Sequence, residues 1–204
     1  MIFTTNYIPI QLSYDVCAMG NFLSCANLQN HYEIYLSYVR QFNRLRTENP
    51  KQSAMSPEEI LSTPFALPWQ VRTEFIDIAG GIYNHEIIFD SMTPTKGTAP
   101  SKLLSDEITA SFGDMDSIKK RFTDASNALV GTGYVMIIKN PSGSLNVISM
   151  PNEESSVIDR MYPILMLDLW EHAYASNFFE RKNYINKWFE YINWDTASAR
   201  YANQ

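Results

Sequence analysis

The spacing of apolar side chains in the first ninety residues predicts two long helices. Over residues 21–46, apolar positions recur every three or four residues, which marks one face of a helix. The polar, proline-interrupted stretch 47–53 predicts a turn, and 56–59 predicts the start of a capped helix with proline in its first turn. The second long helix is predicted over 69–89. Joined by a turn, the two long helices are expected to form an antiparallel hairpin.

Two glycines fall in the middle of the second predicted helix. Gly80 and Gly81 each cost about 1 kcal/mol relative to alanine in a helix interior. Their presence predicts that backbone or a bulky side chain approaches the helix closely at this point.

The hydrophobic pattern changes after a Thr/Pro/Gly-rich stretch at 91–101. This stretch predicts a boundary between an N-terminal helical-hairpin domain, residues 1–92, and a C-terminal α/β domain, residues 93–204. Short β-rich runs around Asn140-Pro-Ser-Gly143 predict a β-hairpin. The fold class is therefore α+β, a long α-hairpin followed by a mixed domain with a three-stranded antiparallel sheet. The elements predicted in the second domain are helices at 102–110, 115–128 and 173–201 and strands at 134–139, 145–149 and 162–167.

Composition and charge exclude some classes of function. The chain has 204 residues, a formal net charge of −6 and no basic run longer than Lys119-Lys120-Arg121. A nucleic-acid partner is not expected, because its phosphates require a basic face. No apolar run approaches the roughly 20 residues of a membrane span. A signal peptide begins with basic residues, but no basic residue precedes Arg40 in this chain. A cytoplasmic location is expected, and an organelle matrix stays open.

Cys17 and Cys25 are the only cysteines. Two thiols eight residues apart in a chain of this length do not form a disulfide framework. The prediction is that both are buried as small apolar side chains.

Candidate chemistry centres on three histidines and one aspartate. Asp168 ends an apolar strand, where a buried carboxylate requires a cation or a paired group. His172 follows four residues later, beyond the strand end. Two histidine nitrogens and one carboxylate suit iron, manganese or zinc, and His31 and His85 are the other histidines.

The stretch Asp168-Leu-Trp-Glu-His-Ala-Tyr174 resembles the D-x-W-E-H-A-Y motif of the iron/manganese superoxide dismutases. The resemblance extends over nearly the whole chain and is strongest after residue 111. Further matching segments are Ala79-Gly-Gly-Ile-Tyr-Asn-His85, Ser111-Phe-Gly113, Gly131-Thr-Gly133, Arg181-Lys-Asn-Tyr-Ile185 and Ile192-Asn-Trp194.

The resemblance implies a metal site with His85, Asp168 and His172 as ligands. The family's fourth ligand is a histidine eight residues before a gateway tyrosine. With Tyr35 as that tyrosine, the position is occupied by Asn27, which would be a weak oxygen donor. By the same alignment, His31 matches a histidine that stands behind the ligands and joins Tyr35 in relaying protons.

A second departure from the family concerns the residue that tunes the metal. The manganese-type enzymes place a glutamine after the second strand, and Glu153 stands there in this chain. Glu153 is expected either to bind the metal and take part in catalysis or to be a solvated surface carboxylate. The family surrounds its metal with an apolar wall of tryptophans, and Trp170 matches one of them. The other tryptophans of that wall are replaced in this chain. The replacing residues are Asp90, Tyr134 and Met136.

The resemblance also implies a homodimer. Glu171 and Tyr174 match family residues that bond across the interface, to His172 and to His31 respectively. Arg181 matches an arginine that attracts the anionic substrate toward the site.

The resemblance implies disproportionation of superoxide to oxygen and hydrogen peroxide at one manganese or iron ion per chain. Gly81 favours manganese, but Glu153 replaces the residue that usually distinguishes the two. The alternative is a non-catalytic homodimer with weak or no metal binding. A metalloenzyme with another substrate would use the same residues.

Overall fold

The computed structural model describes residues 6–52 and 54–203. Its N-terminal part is built on two long helices that pack against each other, α1 (Cys25–Glu48) and α3 (Trp69–Asp90). Between them lie α2 (Pro57–Ser62) and a 3-10 turn (Pro64–Ala66). The two long helices and the turn between them are confirmed, with ends that differ from the predictions by at most four residues.

Helix starts are fixed by side chains that accept hydrogen bonds from the first turn. Ser24 accepts from the amide of Asn27 at the start of α1, and Ser56 forms a reciprocal capping box with Glu59 at α2. Such caps satisfy backbone donors that have no partner within the helix.

The C-terminal part contains helices around one small sheet. Its strands run in the order β2-β1-β3, both pairs are antiparallel, and Tyr134 lies opposite Asp168 in the β1–β3 register. The predicted α+β class and three-stranded sheet are confirmed. The elements are α4 (Lys102–Phe112), α5 (Met115–Ala128), β1 (Gly133–Lys139), β2 (Leu145–Pro151), β3 (Tyr162–Asp168), α6 (Glu171–Tyr174), α7 (Arg181–Trp188) and α8 (Trp194–Asn203).

The last segment departs from the single helical stretch predicted over 173–201. It forms three short helices, α6 to α8, separated by turns. Tyr191, in the turn between α7 and α8, packs inward and is 3% exposed, whereas Phe179, in the turn between α6 and α7, is exposed. The predicted boundary at residue 92 stays a prediction, because α3 also packs on β3 across it.

The prediction for the cysteines is wrong. Cys17 and Cys25 are joined in a disulfide with their Cα atoms 4.3 Å apart, and both residues are exposed. The chain folds back through a turn between them and brings the two side chains together just where α1 begins. Sequence spacing alone carries no information about that turn.

None of the helices in the described ranges is both long enough and apolar enough to cross a membrane.

Candidate metal centre

Four side chains from four elements converge in the interior. His31 comes from α1, His85 from α3, Asp168 from the end of β3 and His172 from α6. Each offers one donor atom, and the four donor atoms lie within 4.8 Å of one another. The arrangement gathers three imidazoles and one carboxylate around a single point.

The donor atoms face one another without forming ordinary hydrogen bonds. His31 Nε2 lies 3.0 Å and His172 Nε2 lies 3.2 Å from Asp168 Oδ2. Within the described residues, none of these three atoms has a partner in hydrogen-bond geometry. Buried polar atoms left in this state require an explanation, and a shared cation supplies one.

Neighbouring backbone groups orient two of the donors. His85 Nδ1 lies 2.6 Å from the carbonyl oxygen of Gly81. Since a carbonyl only accepts, Nδ1 carries the proton and Nε2 keeps a free lone pair. Asp168 Oδ1 accepts a hydrogen bond of 2.7 Å from the amide of Trp170, which leaves Oδ2 facing the histidines.

Burial and neighbouring side chains put His31, His85 and Asp168 in the protonation states that a metal requires. Burial lowers the pKa of His85 to about 3 and also lowers the pKa of His31. Burial acts to raise the pKa of Asp168, but the neighbouring His172 and His31 outweigh it and lower that pKa below its ordinary value. Neutral imidazoles and an ionised carboxylate are ligands for iron, manganese or zinc, so the residues fit such an ion.

The donor from α1 differs from the prediction. His31, which the resemblance placed behind the ligands, is one of the four converging donors. Asn27, the expected donor, forms hydrogen bonds elsewhere. Asn27 Nδ2 donates to the carbonyl of His172 at 3.1 Å and to Ser176 Oγ at 2.7 Å. Asn27 thus ties the first turn of α1 to the segment that carries a donor.

The alignment on Tyr35 explains the difference. The Tyr35 hydroxyl accepts from the amide of Ile10 and donates to Glu86 Oε1, each at 2.8 Å. Tyr38 is the helix-α1 tyrosine that reaches Glu153. Counting back eight residues from Tyr35 selects Asn27, whereas the residue that α1 contributes to the donor group, His31, lies one helical turn later.

Glu153 lies outside the four-donor group. Its carboxylate accepts hydrogen bonds from Tyr38 at 2.7 Å and from Tyr134 at 2.5 Å. Burial raises its pKa, although both tyrosines act in the opposite direction. The residue is thus neither a member of the donor group nor a solvated surface carboxylate. It links two tyrosines whose rings lie 5.5 and 6.5 Å from the ring of His85.

Gly80 and Gly81 make room for this tyrosine–carboxylate network, as their predicted close approach requires. A Cβ on Gly80 would collide with the backbone oxygen of Glu153, and one on Gly81 would lie 2.6 Å from Cδ1 of Tyr38. The glycines let the strand end and the Tyr38 ring rest directly on α3.

Gly81→Ala is expected to reduce the free energy of unfolding by up to about 2 kcal/mol, because overpacking costs about 1–3 kcal/mol and the gain in helix propensity offsets only about 1 kcal/mol of it. Urea unfolding of the metal-free protein measures this. Gly20→Ala is the matched control, since its nearest neighbour would lie 3.7 Å away. A Gly81→Ala variant more stable than the wild type would contradict the assigned role of the glycine.

The wall around the group contains the other substituted positions. Trp170 packs 5.8 Å from the ring of His172, and Met136 and Tyr134 are fully buried. Asp90 is paired with Arg200 at 3.3 Å, so its charge is directed toward α8. Although these residues replace tryptophans of the family, Tyr134 and Met136 are still fully packed in the interior.

The remaining predicted residues lie at one side of the group. Glu171 is exposed and, with Asn27, Asn30 and His172, lines a cavity of about 280 Å³. Tyr174 is buried with its ring stacked 5.1 Å from Tyr184.

Arg181 is engaged in holding backbone segments together. Its guanidinium donates hydrogen bonds to four carbonyl oxygens, and these bonds stabilise the turn before β1. These carbonyls belong to Ser126, Leu129, Gly131 and Leu169.

The fold and the four converging donors define a metal-binding α+β protein. Residues 100–200 match the family model described as iron/manganese superoxide dismutases, C-terminal domain. The chain is 31% identical over 193 residues to superoxide dismutase (Mn) of Listeria monocytogenes, covering 94% of this chain and 95% of that protein. It is 29% identical over 192 residues to superoxide dismutase (Mn) 3 of Leptolyngbya boryana, covering 93% and 80% respectively. The chain belongs to the iron/manganese superoxide dismutase family.

Proposed function

We propose that this protein disproportionates superoxide at a single manganese or iron ion held by His31, His85, Asp168 and His172. The convergence of these four donor atoms within 4.8 Å carries the proposal. The balanced reaction consumes two superoxide anions and two protons and yields one oxygen and one hydrogen peroxide. When bound, the metal supplies the change of oxidation state that this reaction requires.

The residues of the chain hold the donors in place and exclude water. Three of the four are nearly or fully buried, and His172 is 21% exposed and opens toward the cavity beside Glu171. We assign this side as the approach for a small anion. The Gly81 carbonyl and the Trp170 amide fix the orientation of His85 and Asp168 before any ion binds.

The network of Tyr38, Tyr134 and Glu153 holds protons next to the donor group. Both hydroxyls donate to the carboxylate, so neither proton is exposed to bulk solvent. We propose that this network takes the proton-holding role that the resemblance assigned to Tyr35 and His31. Tyr35 serves to anchor the N-terminal segment through Ile10.

We propose manganese as the resident ion in preference to iron. Both described relatives carry manganese in their names, and Gly81 occupies the helix position where the iron-type enzymes place glutamine. Glu171 at the cavity beside His172 supports a homodimer in which that carboxylate meets the histidine of a second copy. The cytoplasmic location stays a prediction.

The alternative of a non-catalytic scaffold loses its main support. It rested on the loss of the first-helix ligand, and His31 provides a nitrogen donor from the same helix.

Elemental analysis and superoxide consumption, measured on the same preparation, test the proposal. We expect close to one manganese or iron ion per chain, and a rate of superoxide loss that scales with metal content across partly loaded samples. A folded protein that stays metal-free in the presence of excess manganese and iron would contradict it. Full loading without superoxide consumption would leave a metalloprotein with another substrate.

A further inference from the structure

Outside the candidate metal centre, the disulfide between Cys17 and Cys25 is a chemistry-bearing feature that the proposed function does not use. We propose that these residues form a reversible dithiol–disulfide site that hydrogen peroxide oxidises, and that its state is transmitted to the segment carrying His172. Peroxide is the product of the proposed dismutation, but the site requires only peroxide from any source.

Exposure and helix position give the two sulfurs different tasks. Both residues are exposed, so peroxide and reducing thiols reach them directly. Cys25 is the first residue of the 24-residue helix α1, where the positive end of the helix dipole stabilises a thiolate. Cys25 is therefore the residue that attacks peroxide, and Cys17 is the residue that resolves the product.

The chemistry balances in two steps. The Cys25 thiolate attacks one oxygen of peroxide and breaks the O–O bond, which gives a sulfenic acid and releases hydroxide. The Cys17 sulfur then attacks that sulfur and forms the disulfide, and its proton leaves with the displaced hydroxide as water; the proton lost from the Cys25 thiol converts the first hydroxide to the second water. In sum, two thiols and one peroxide give one disulfide and two waters, and an external dithiol reverses the change.

Opening the bond leaves the surrounding turn in place. Met19, Phe22 and Leu23, which lie between the two cysteines, are each at most 2% exposed. The amides of Phe22 and Leu23 both donate to the carbonyl of Met19. Because core packing holds the segment independently of the disulfide, the reduced protein is expected to stay folded, as a reversible site requires.

Hydrogen bonds link the first turn of α1 to the metal centre. Ser24, next to Cys25, donates from its amide and hydroxyl to Asn177 Oδ1 at 3.2 and 3.3 Å. Asn27 donates to the His172 carbonyl and to Ser176 Oγ. The start of α1 is therefore bonded to residues 172–177 at several points, and a change at Cys25 reaches His172 through these hydrogen bonds.

Mass spectrometry after maleimide labelling tests the redox chemistry on the metal-loaded full chain. Reduction with dithiothreitol should give a folded protein with both cysteines labelled. Stoichiometric peroxide should then return it to an unlabelled form 2 Da lighter than the reduced chain. Dimedone should trap a sulfenic acid in Cys17→Ser and trap at least five-fold less in Cys25→Ser. A disulfide that resists dithiothreitol in the folded protein, or a dithiol that peroxide leaves unchanged, would overturn the proposal.

Hydrogen exchange of the reduced and oxidised forms tests transmission. Amides in 24–30 and 172–177 should exchange at least three-fold faster after reduction, while those of α5, remote from the bond, keep their rates. A change in exchange rate confined to residues 15–23 would mean that the disulfide acts only locally, and it would overturn the proposed link to His172. Neither labelling nor hydrogen exchange depends on superoxide consumption. The proposed redox site can therefore be confirmed or refuted independently of the proposed function.

Discussion

His31→Ala is expected to weaken manganese binding by more than about 100-fold, because loss of a ligand exceeds the 10–100-fold typical of residues that only support ligands. The variant removes a nitrogen that lies 3.0 Å from Asp168 Oδ2 in the buried group. The remaining two histidines and one aspartate would leave one side of the ion open to solvent. Metal titration of the metal-free protein, followed by calorimetry, measures the change, and superoxide consumption should fall in parallel.

Asn27→Ala is the matched control on the same helix, four residues earlier. It removes two hydrogen bonds to the segment after β3 and should cost about 1–2 kcal/mol of folding free energy. Manganese affinity should fall by no more than about 10–100-fold, the range typical of residues that only support ligands. Strong metal loss in Asn27→Ala with little loss in His31→Ala would reverse the assignment of the α1 donor.

Glu153→Gln is expected to raise the reduction potential of the bound metal by about 0.1 V. A carboxylate stabilises the more highly charged, oxidised ion, and the amide removes that negative charge. For two unit charges about 8 Å apart at an effective dielectric constant of about 20, the interaction is about 2 kcal/mol, which corresponds to about 0.1 V for one electron. Tyr38 and Tyr134 donate to different oxygens of Glu153, and glutamine replaces one of these oxygens with an NH2 donor, so one of the two hydroxyls loses its present acceptor.

Redox titration of the manganese-loaded protein, monitored by its visible absorption, gives the potential directly. Glu154→Gln is the control, because this neighbouring carboxylate is exposed and only its backbone carbonyl is bonded to α3. It should shift the potential by less than about 0.03 V, since solvent screens exposed charges. Equal potentials in wild type and Glu153→Gln would show that Glu153 is neutral at neutral pH and does not tune the ion.

Sequence periodicity was sufficient for most of the fold. Apolar spacing located α1 and α3, and the strand-length apolar runs located the sheet, because burial on one face imposes those periods. The glycine pair also predicted a close approach, since two unfavourable residues in a helix require a compensating contact. Its partners, Glu153 and Tyr38, come from distant parts of the chain and were not deducible from the pair itself.

The α1 donor was harder to predict for a geometric reason. Asn27 and His31 are four residues apart and therefore share a face of the helix. The choice between them depends on how far α1 slides along its axis relative to β3, by one turn of about 5.4 Å. Tertiary packing sets that distance, and counting residues back from Tyr35 carries no information about it. The prediction for Cys17 and Cys25 was wrong for a similar reason. The two sulfurs meet because a turn folds the chain back between them, and their spacing in the sequence does not reveal that turn.

The most direct test is a crystal structure of protein loaded with manganese, with anomalous scattering recorded on both sides of the manganese absorption edge. We expect one manganese peak per chain, bonded to His31, His85, Asp168 and His172, with the Asn27 amide still on the His172 carbonyl. A manganese peak bonded to Asn27 or Glu153, with His31 turned away, would show that His31 is not the α1 ligand.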